Sequence, residues 1–499
     1  MSDQNLLTRA LESISFNQSH LISRENPFAS TLSLVGFVEK HHCYPTVEEL
    51  EAFQLRELPK ISSAEMSCHL KKIIGNASSQ IFFDVTETTY AGYNTGIQRV
   101  TRKLYNELKE VVVPFRWRDR EGWPVRNSDI ENAFLLNFDL LKKISIRSNK
   151  FYYEAPRNVR LYNWIKEKIV DKRFFVGLRK KLPSAWKRLL LEIAKKLLFK
   201  KRQFSVAPPI NLFSATILMT EYAYLNEKTL SRLRVLAEFG DLRLTLMIHD
   251  AIPLTYPEWV ASPTIAGWVH FRRLAEFANQ IFVPSNSEKF IVEKLISSTS
   301  VEVSTLYLSG ELLDFKKIKQ APRKKSQHRK ILVLGSLDPR KNHVRVILAA
   351  LDLSQRVPIE LSIVAGGEWL SQNIRQTLAE SEKVDNDLKI QLLIGISDQR
   401  LIEILSETDV LAFCSLAEGF GLPIAEAGFL GIPVVCSNTG TVAEIGREFA
   451  NSILVDPLSI DSISSGLEMA INSKFSNKAN LGKRTWSDVA GEIQRKMKF

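Results

Sequence analysis

The sequence has few cysteines and no long hydrophobic run. Its four cysteines, Cys43, Cys68, Cys414 and Cys436, form no CxxC pair and are too few for a disulfide framework, so we expect reduced thiols. No stretch reaches the roughly 18 uninterrupted apolar residues of a membrane-spanning helix. The first residues lack the basic start and apolar core of a secretion signal. These absences favour a cytoplasmic protein.

The composition excludes a mainly disordered or fibrous chain, because 45% of the residues are hydrophobic and 24% are charged. At roughly 100–200 residues per domain, a chain of 499 residues has room for two to four domains. Internal repeats of a fixed short period are not visible, so a repeat architecture is not indicated.

Positive charge is concentrated in one segment. The chain holds 67 Lys and Arg against 55 Asp and Glu, and residues 160–203, with fifteen basic and three acidic residues, carry the whole net charge of +12. Apolar residues lie between these cations at helical spacing: Trp186, Leu189, Leu190, Ile193, Leu197 and Leu198. A basic amphipathic helix of this kind suits an anionic membrane surface, so we expect peripheral attachment at the inner face of the cell membrane. A solvated helix on the domain surface and a groove for a polyanionic acceptor are the alternatives.

The pattern from residue 80 onward predicts the fold class. Short β-branched runs alternate with amphipathic helical stretches, which is typical of parallel sheets covered by helices on both faces. The predicted strands fall into two series: 81–85, 111–115, 215–219, 244–248 and 281–283, then 331–335, 360–364, 390–394, 410–414, 433–436 and 453–455. We therefore predict an α/β protein with two Rossmann-like domains facing a cleft, an N-terminal extension and a basic helical insertion.

The same pattern gives domain boundaries. An N-terminal extension of unknown role covers residues 1–75, and the first Rossmann-like domain covers 76–316, with the basic insertion at about 157–205. A linker at 317–330 leads to the second Rossmann-like domain at 331–485, and residues 486–499 form a C-terminal helix. Ligands of such sheets bind beyond the carboxyl ends of the strands, so a site is expected where the two domains face each other.

The strongest candidate site follows the strand predicted to end at Cys414. A glycine-containing turn, Glu418-Gly-Phe-Gly421, leads into a helix that holds Pro423 in its first turn and Glu426 one turn further on. Gly419 and Gly421 let the backbone approach a ligand closely, and the N–H groups of the helix start suit a phosphate. One carboxylate can grip the neighbouring hydroxyls of a ribose and the other can meet a sugar. The alternative is a glycine turn with a capping glutamate.

A second candidate element follows the strand predicted to end at Gly335. Arg340 and Lys341 lie at a helix start, where two positive charges and backbone N–H groups match a diphosphate. The alternative is a solvated basic pair. Both elements lie at strand ends of one sheet, so they are expected to face one pocket.

Two polar strings mark strand ends in the amino-terminal half. Asp84-Val-Thr-Glu-Thr leads through a polar loop to Gly96 and a helix, where glycine permits close backbone approach. His249-Asp250 follows another strand, and His249 could donate a hydrogen bond to a sugar hydroxyl. The alternative for both strings is a loop whose polar side chains satisfy its own backbone.

These motifs resemble those of the retaining nucleotide-sugar glycosyltransferases of family four, which have the two-domain GT-B architecture. The resemblance covers about residues 80–490. Its donor-domain segments are Gly335…Pro339-Arg340-Lys341-Asn342, Ala365-Gly366-Gly367, Gly395-Ile-Ser-Asp398, Glu418-x7-Glu426, Gly431-Ile-Pro-Val-Val-Cys-Ser-Asn438 and Gly440…Glu444-Ile445. One position departs from the family, because many members have Arg directly after the first-strand glycine, where this chain has Ser336.

The resemblance implies roles for the donor-side residues. Residues 331–485 become the nucleotide-sugar domain, in which Lys341 contacts the donor diphosphate and Arg340 is the candidate to compensate for Ser336. Glu426 contacts the nucleotide ribose. Glu418 contacts the donor sugar together with the turn residues Gly419, Phe420 and Gly421.

The resemblance also implies roles in residues 76–316, which become the acceptor domain. His249 lies near the transferred sugar, Asp250 near the reacting centre and Gly96 near the diphosphate. Ser285, in a Val-Pro-Ser-x-x-Ser string, is interpreted as a helix cap.

The amino-terminal strings resemble a subgroup of frequently bacterial mannosyltransferases that build O-antigen or other surface polysaccharide. This implies transfer of a sugar, mannose from GDP-mannose, onto a lipid-linked or polysaccharide acceptor, without a cofactor or metal. Asp385-Asn-Asp387 is interpreted as a solvated acidic turn, and His41-His42-Cys43 lacks a partner pair at zinc spacing. The alternatives are a GT-B-type nucleotide-sugar epimerase or phosphorylase and, in another class, a basic nucleic-acid-binding protein. Since the two-domain body is charge-neutral and has no recognised binding motif, we expect no nucleic-acid partner.

Overall fold

The computed structural model describes residues 8–10, 29–41, 43–76, 80–86, 88, 96–118, 123–126, 210–221, 227–259, 262–296, 301–312, 327–365, 372–381, 383, 387–396, 398–473 and 483–497. The basic segment 160–203, the loop 89–95, the glycine pair 366–367 and residues 385–386 lie outside these ranges. Predictions made for those segments therefore stay predictions.

Helices α1 (Ala29–His41), α2 (Val47–Arg56) and α3 (Ser63–Asn76) precede the first sheet. The sequence of α2 shows why it starts where it does. Thr46 accepts a hydrogen bond from the Glu49 N–H while the Glu49 carboxylate accepts one from the Thr46 N–H, which is a complete capping box.

These three helices share the core of the first sheet. Leu34 of α1 and Met66 of α3 are fully buried in one cluster with the strand residues Phe82 and Ile217. The hydroxyl of Tyr44 donates to the carbonyl of residue 210 at 2.8 Å and accepts from the N–H of residue 212 at 2.7 Å. The N-terminal extension, which the sequence left without a role, thus completes the hydrophobic core of the first domain.

The first sheet has seven strands in the order β3-β2-β1-β4-β5-β6-β7, all parallel except the edge strand β3. Its elements in chain order are β1 (Ile81–Asp84), α4 (Gly96–Leu108), β2 (Val112–Arg118), β3 (Trp123–Arg126), β4 (Thr216–Met219), α5 (Glu227–Phe239), β5 (Arg243–Met247), α6 (Ile252–Thr255), α7 (Ser262–Ala275), β6 (Gln280–Val283), α8 (Asn286–Leu295) and β7 (Glu302–Thr305). The two edge strands, β3 and β7, were not predicted.

The second sheet has six parallel strands in the order β10-β9-β8-β11-β12-β13. Its elements are β8 (Arg329–Leu334), α9 (His343–Ser354), β9 (Ile359–Ala365), α10 (Gln372–Ser381), β10 (Leu388–Ile394), α11 (Asp398–Glu407), β11 (Val410–Phe413), α12 (Leu422–Leu430), β12 (Val434–Ser437), α13 (Gly440–Phe449), β13 (Ser452–Val455) and α14 (Ile460–Asn472). Ile331, Leu361 and Val410 belong to its separate buried core.

The predicted fold class is confirmed, since two doubly wound sheets follow one another along the chain. The last helix, α15 (Trp486–Met497), packs back against α4 of the first domain. The indole N–H of Trp486 donates to the Glu311 carbonyl at 3.1 Å, and the Trp486 backbone N–H donates to the Glu311 carboxylate at 3.0 Å. In the part of the chain that the structure describes, we find no helix with the length and apolar character needed to cross a bilayer.

Candidate functional site

The two domains approach each other closely at the turn that follows β11. We call residues 418–421 the glycine turn and residues 249–251, which follow β5, the His249 loop. A Cβ atom added to Gly419 would lie 1.7 Å from the His249 carbonyl oxygen and 2.7 Å from the Asp250 Cβ. Only glycine leaves room for this approach, and the contact joins the two candidate loops. The close approach predicted for this backbone was to a ligand, and it stays a prediction.

The glycine turn ends directly before α12 in a backbone conformation that favours glycine. Gly421 has a φ of 91° and is the N-cap of α12, and Pro423 lies in the first turn as predicted. The Phe420 ring packs edge-on against Phe449 with centroids 5.2 Å apart and is buried. A ligand at this turn would therefore meet the backbone of Phe420 and not its side chain. Glu426, on α12, is also buried.

The carboxylate of Glu426 forms an ion pair across the domain boundary with the guanidinium of Arg99, in the first turn of α4. Arg99 lies three residues after Gly96, and no role was predicted for it. A cation in the first turn of a helix that follows a strand end was the signal that could have identified it. Lys103, one turn further on, has its pKa lowered mainly by burial and then by the nearby Arg99 charge. The amino-terminal domain therefore brings positive charge to the predicted ribose-binding carboxylate.

Glu418 is held by both cations of the second candidate element. Lys341 Nζ lies 2.5 Å from Glu418 Oε1, and Arg340 Nη1 lies 3.0 Å from Oε2. Burial raises the pKa of Glu418, but the two cations outweigh this effect and hold the pKa below its usual range. The carboxylate is therefore ionised, and these three predicted site residues form one cluster.

The cations of this cluster are not a solvated pair. Lys341 lies 5.1 Å from the centroid of the Phe413 ring, and its side chain is 11% exposed. Arg340 also donates to the Ala417 carbonyl at 3.1 Å and faces Asp338 at 3.3 Å. They lie in a short 3-10 turn, Pro339–Lys341, that precedes α9, and not at the start of α9 itself. A diphosphate that binds here meets cations already paired with carboxylates.

His249 was predicted to donate a hydrogen bond to a sugar hydroxyl, but its donor is already used within the protein. Its Nε2 lies 2.9 Å from the Thr220 carbonyl oxygen, which can only accept, so Nε2 carries the proton. Burial lowers the pKa of His249 to about 4, which keeps the ring neutral at physiological pH and leaves Nδ1 as an acceptor. Burial raises the pKa of Asp250, and the positive charge of Arg340 offsets this only in part.

Two helix N-termini converge at the same place. Gly96 is the first residue of α4, and a Cβ atom added to it would lie 3.6 Å from Cδ1 of Leu422, the first residue of α12. The positive ends of two helix dipoles and the cations Arg99 and Lys341 therefore surround one region, which can stabilise a polyanion such as a diphosphate.

The strand-end residues Asp84 and Thr86 are used inside the first domain. Asp84 is fully buried and accepts hydrogen bonds from the Trp117 indole N–H at 3.0 Å, the Thr86 N–H at 3.0 Å and the Thr86 hydroxyl at 2.6 Å. For Asp84 and Thr86 the alternative interpretation is therefore correct: their polar side chains satisfy hydrogen bonds within the first domain. The predicted helix cap is also confirmed, because the Ser285 hydroxyl accepts from the Glu288 N–H at the start of α8.

No group of three or more His, Cys, Asp or Glu side chains that could hold a metal ion occurs among the described residues. The four cysteines are free thiols, of which Cys414 and Cys436 are buried.

Comparison with known proteins identifies the second domain. Residues 314–486 match the family described as glycosyl transferases group 1. These residues form a group 1 glycosyltransferase domain. The Glu418 cluster, the glycine turn and Glu426 all lie within this glycosyltransferase domain.

The curated relatives of the chain include sugar transferases. It is 26% identical over 221 residues to the serotype-specific mannosyltransferase WbdA of Escherichia coli. The aligned region covers 41% of this chain and 27% of that protein. It is 33% identical over 138 residues to the O-antigen chain mannosyltransferase B of Escherichia coli, covering 27% of this chain and 34% of that protein. The chain thus spans 27% and 34% of the lengths of these two relatives.

Among solved structures, the N-terminal domain of a Candida albicans trehalose-6-phosphate phosphatase has the same fold. The TM-score is 0.50 at 12% identity, and the alignment covers 85% of this chain and 97% of that one.

Proposed function

We propose that this chain is a retaining glycosyltransferase that moves mannose from GDP-mannose onto a lipid-linked or polysaccharide acceptor in cell-surface glycan synthesis. The observation that carries the proposal is the junction of the glycine turn with the His249 loop. There, the positive charge of Arg340 in the glycosyltransferase domain acts on Asp250, which follows strand β5 of the first domain. The mannosyl specificity is supported by the curated relatives at 26% and 33% identity.

The donor side follows from charge. Breaking the bond between the anomeric carbon and the diphosphate leaves positive charge on the sugar and negative charge on the departing phosphate. Lys341, Arg340 and the two helix N-termini are placed to stabilise the leaving group, and we propose that they do so without a divalent metal. Glu426, buried on α12, accepts hydrogen bonds from the ribose hydroxyls, and Arg99 then moves from Glu426 to the diphosphate.

The transfer step follows from the same geometry. In a retaining transfer, the acceptor hydroxyl attacks the anomeric carbon on the face that the diphosphate leaves. The hydroxyl proton passes to the departing phosphate oxygen, so atoms and charge balance without a protein nucleophile. The half-buried His249 and Asp250 lie at the junction, where neutral Nδ1 of His249 accepts a hydrogen bond from a hydroxyl of the transferred sugar.

A ligand panel tests the donor. The full chain is heated with GDP, UDP or ADP at one common concentration, so that the nucleotide with the lowest dissociation constant gives the largest shift. A ligand at about 100 times its dissociation constant adds about 2.7 kcal/mol of stability. We expect GDP to raise the unfolding temperature most, and GDP-mannose to release GDP only when a lipid-linked acceptor is added.

Other outcomes would correct the proposal at separate points. A response to UDP or ADP alone would refute GDP-mannose and keep the transferase. Product formed from the donor without an acceptor would indicate an epimerase, and phosphate-dependent cleavage of a glycan would indicate a phosphorylase. Absence of any nucleotide response would refute the whole assignment.

We further propose a peripheral location on the cytoplasmic face of the membrane, through the basic segment 160–203, which lies outside the described residues. The measurement is co-sedimentation of the chain with vesicles that contain anionic phosphatidylglycerol. Replacing the fifteen Lys and Arg of this segment by Gln should abolish co-sedimentation. Unchanged co-sedimentation would refute the attachment and leave the donor site unaffected.

A further inference from the structure

A buried carboxyl group lies directly behind the His249 loop. Glu288, in the first turn of α8, is 3% exposed, and its Oε2 accepts a hydrogen bond from the Ala251 N–H at 2.9 Å. Ala251 is the last residue of the His249 loop. The carboxyl group of Glu288, which lies in α8, therefore fixes the backbone that carries His249 and Asp250.

The same helix start also holds the glycine turn of the other domain. The Ser285 hydroxyl, which accepts from the Glu288 N–H at 3.1 Å, donates to the Gly419 carbonyl at 3.1 Å. Thr441 of α13 lies 3.2 Å from the same hydroxyl. Two side chains one helical turn apart thus connect both loops at the point where the domains meet.

A carboxylate of the second domain fixes this helix start in turn. Glu444 of α13 accepts from the backbone N–H groups of Asn286 and Ser287 at 2.7 and 2.9 Å, and from the Tyr307 hydroxyl at 2.8 Å. A negative charge at a helix N-terminus is favourable, so α8 is anchored to the glycosyltransferase domain at the end that carries Ser285 and Glu288.

We infer that Glu288 is a positioning residue, whose carboxyl group holds the His249 loop against the glycine turn and thereby completes the active site. This inference rests on the proposed function for its effect on turnover, while the contact itself can be tested without any substrate. A shift of about 1 Å in such a loop is enough to reduce turnover roughly 100-fold.

Electrostatics give Glu288 a signature that a packing residue would lack. Burial raises the pKa of Glu288 to about 8, and the charges of Asp250 and then Glu444 add to this effect, so the carboxyl group is neutral at pH 7. Above that pKa it becomes a second carboxylate beside Asp250. The folded pKa lies above the ordinary value of 4.5, so Glu288 ionises more readily when the loop opens and exposes it to water. Opening therefore becomes easier as pH rises from 4.5 towards about 8 and levels off above that pKa.

The test is hydrogen–deuterium exchange of the full chain between pH 6.5 and 9.5, corrected for the intrinsic exchange rate. We expect one pH step in the wild type: the Ala251 amide and its neighbours lose protection about tenfold per pH unit up to about pH 8 and keep a constant protection above it. Glu288→Gln, which keeps the acceptor oxygen and cannot ionise, should remove this step. Glu288→Ala should lose the protection at every pH.

Turnover of GDP-mannose with a synthetic octyl mannoside as the acceptor is the second readout. Glu288→Ala should lower kcat about 10–100-fold with less than about a threefold change in the affinity for GDP, whereas Glu288→Gln should restore kcat and extend activity above pH 8. Glu293→Gln is the matched control, since Glu293 lies on the same helix, is 49% exposed and pairs with Lys289.

Each outcome decides a separate claim. An Ala251 amide whose protection is the same in the wild type and Glu288→Ala would overturn the positioning role, whatever the enzyme does. Protection that follows the expected pattern in a protein without turnover of any nucleotide sugar would keep the contact and refute the proposed function. A Glu288→Gln enzyme as slow as Glu288→Ala would overturn the positioning role in turnover, because Gln keeps both the side-chain volume and the acceptor oxygen.

Discussion

The two sides of the domain junction use the same kind of motif differently. In both domains, polar residues follow a buried strand. On the amino-terminal side, Asp84 and Thr86 bond to each other and to Trp117, and Asp84 is fully buried. On the carboxyl-terminal side, Glu418 and Glu426 pair with cations that come from other elements or from the other domain.

The two motifs differ in whether an incoming ligand can replace the partners of their carboxylates. Trp117 and Thr86 donate from inside the same sheet, so removing them from Asp84 would leave a buried carboxylate without its donors. Lys341 and Arg99 are long side chains, and an incoming diphosphate can take the place of the carboxylate that each one contacts. We therefore expect changes at the first motif to affect stability and changes at the second to affect ligand affinity.

The largest expected effect is at Asp84. Replacing it by Ala removes the acceptor of three hydrogen bonds, so we expect the free energy of unfolding of the full chain to fall by about 4 kcal/mol in urea titrations. Trp117→Phe, which removes one donor, should cost about 1 kcal/mol. The comparison would break if Asp84→Ala left stability unchanged and instead weakened GDP binding.

Glu426→Ala should have the next largest effect, on ligand affinity. Losing charged hydrogen bonds to two ribose hydroxyls corresponds to roughly 100-fold weaker GDP binding by calorimetry, and turnover falls with it. Glu468→Ala is the control, because Glu468 is a surface carboxylate of the same domain that pairs with Arg356. Unchanged affinity for GDP in Glu426→Ala would refute the ribose role.

Lys341→Ala should weaken GDP binding about tenfold and guanosine binding very little, since only GDP carries the diphosphate. Lys330→Ala provides the control, because Lys330 forms a comparable ion pair with Glu407 in the same domain. Equal losses for GDP and guanosine would mean that Lys341 shapes the pocket and does not bind the diphosphate.

The smallest expected effect is the pH dependence due to His249. Its folded pKa of about 4 lies below the ordinary value of 6.5, so the unfolded chain binds more protons, and stability falls as pH decreases from 6.5 towards 4. Between pH 7 and pH 6 this amounts to about 0.7 kcal/mol. His249→Gln should remove that part of the pH dependence in urea titrations. A wild-type imidazole that titrates near 6.5 by NMR would contradict the burial argument.

The sequence predicted most of what is local. Runs of β-branched residues located the interior strands, because a buried parallel strand must be apolar on both faces. Two edge strands were not predicted. Trp123–Arg126 contains a proline, and Glu302–Thr305 contains several polar residues. Helices α1 and α3 were also missed, because their apolar residues pack against several neighbours and show weak periodicity.

Contacts between distant parts of the chain were beyond the sequence. Glu418 and the Arg340-Lys341 pair could be expected at one sheet edge, because parallel strands end together. The pairing of Arg99 with Glu426 joins residues 327 positions apart and depends on how the domains pack. The direction of the His249 ring likewise depends on the Thr220 carbonyl, which no local pattern reveals.

The absence of space at Gly419 limits how far the two domains can be treated as exchangeable modules. Its backbone lies against the His249 carbonyl so closely that no side chain fits between them. A chimera that takes its donor domain from a related enzyme therefore has to bring a loop of matching backbone path at residues 249–251. The two halves of such a chimera have to be recombined as a fitted pair, with the seam placed elsewhere in the chain.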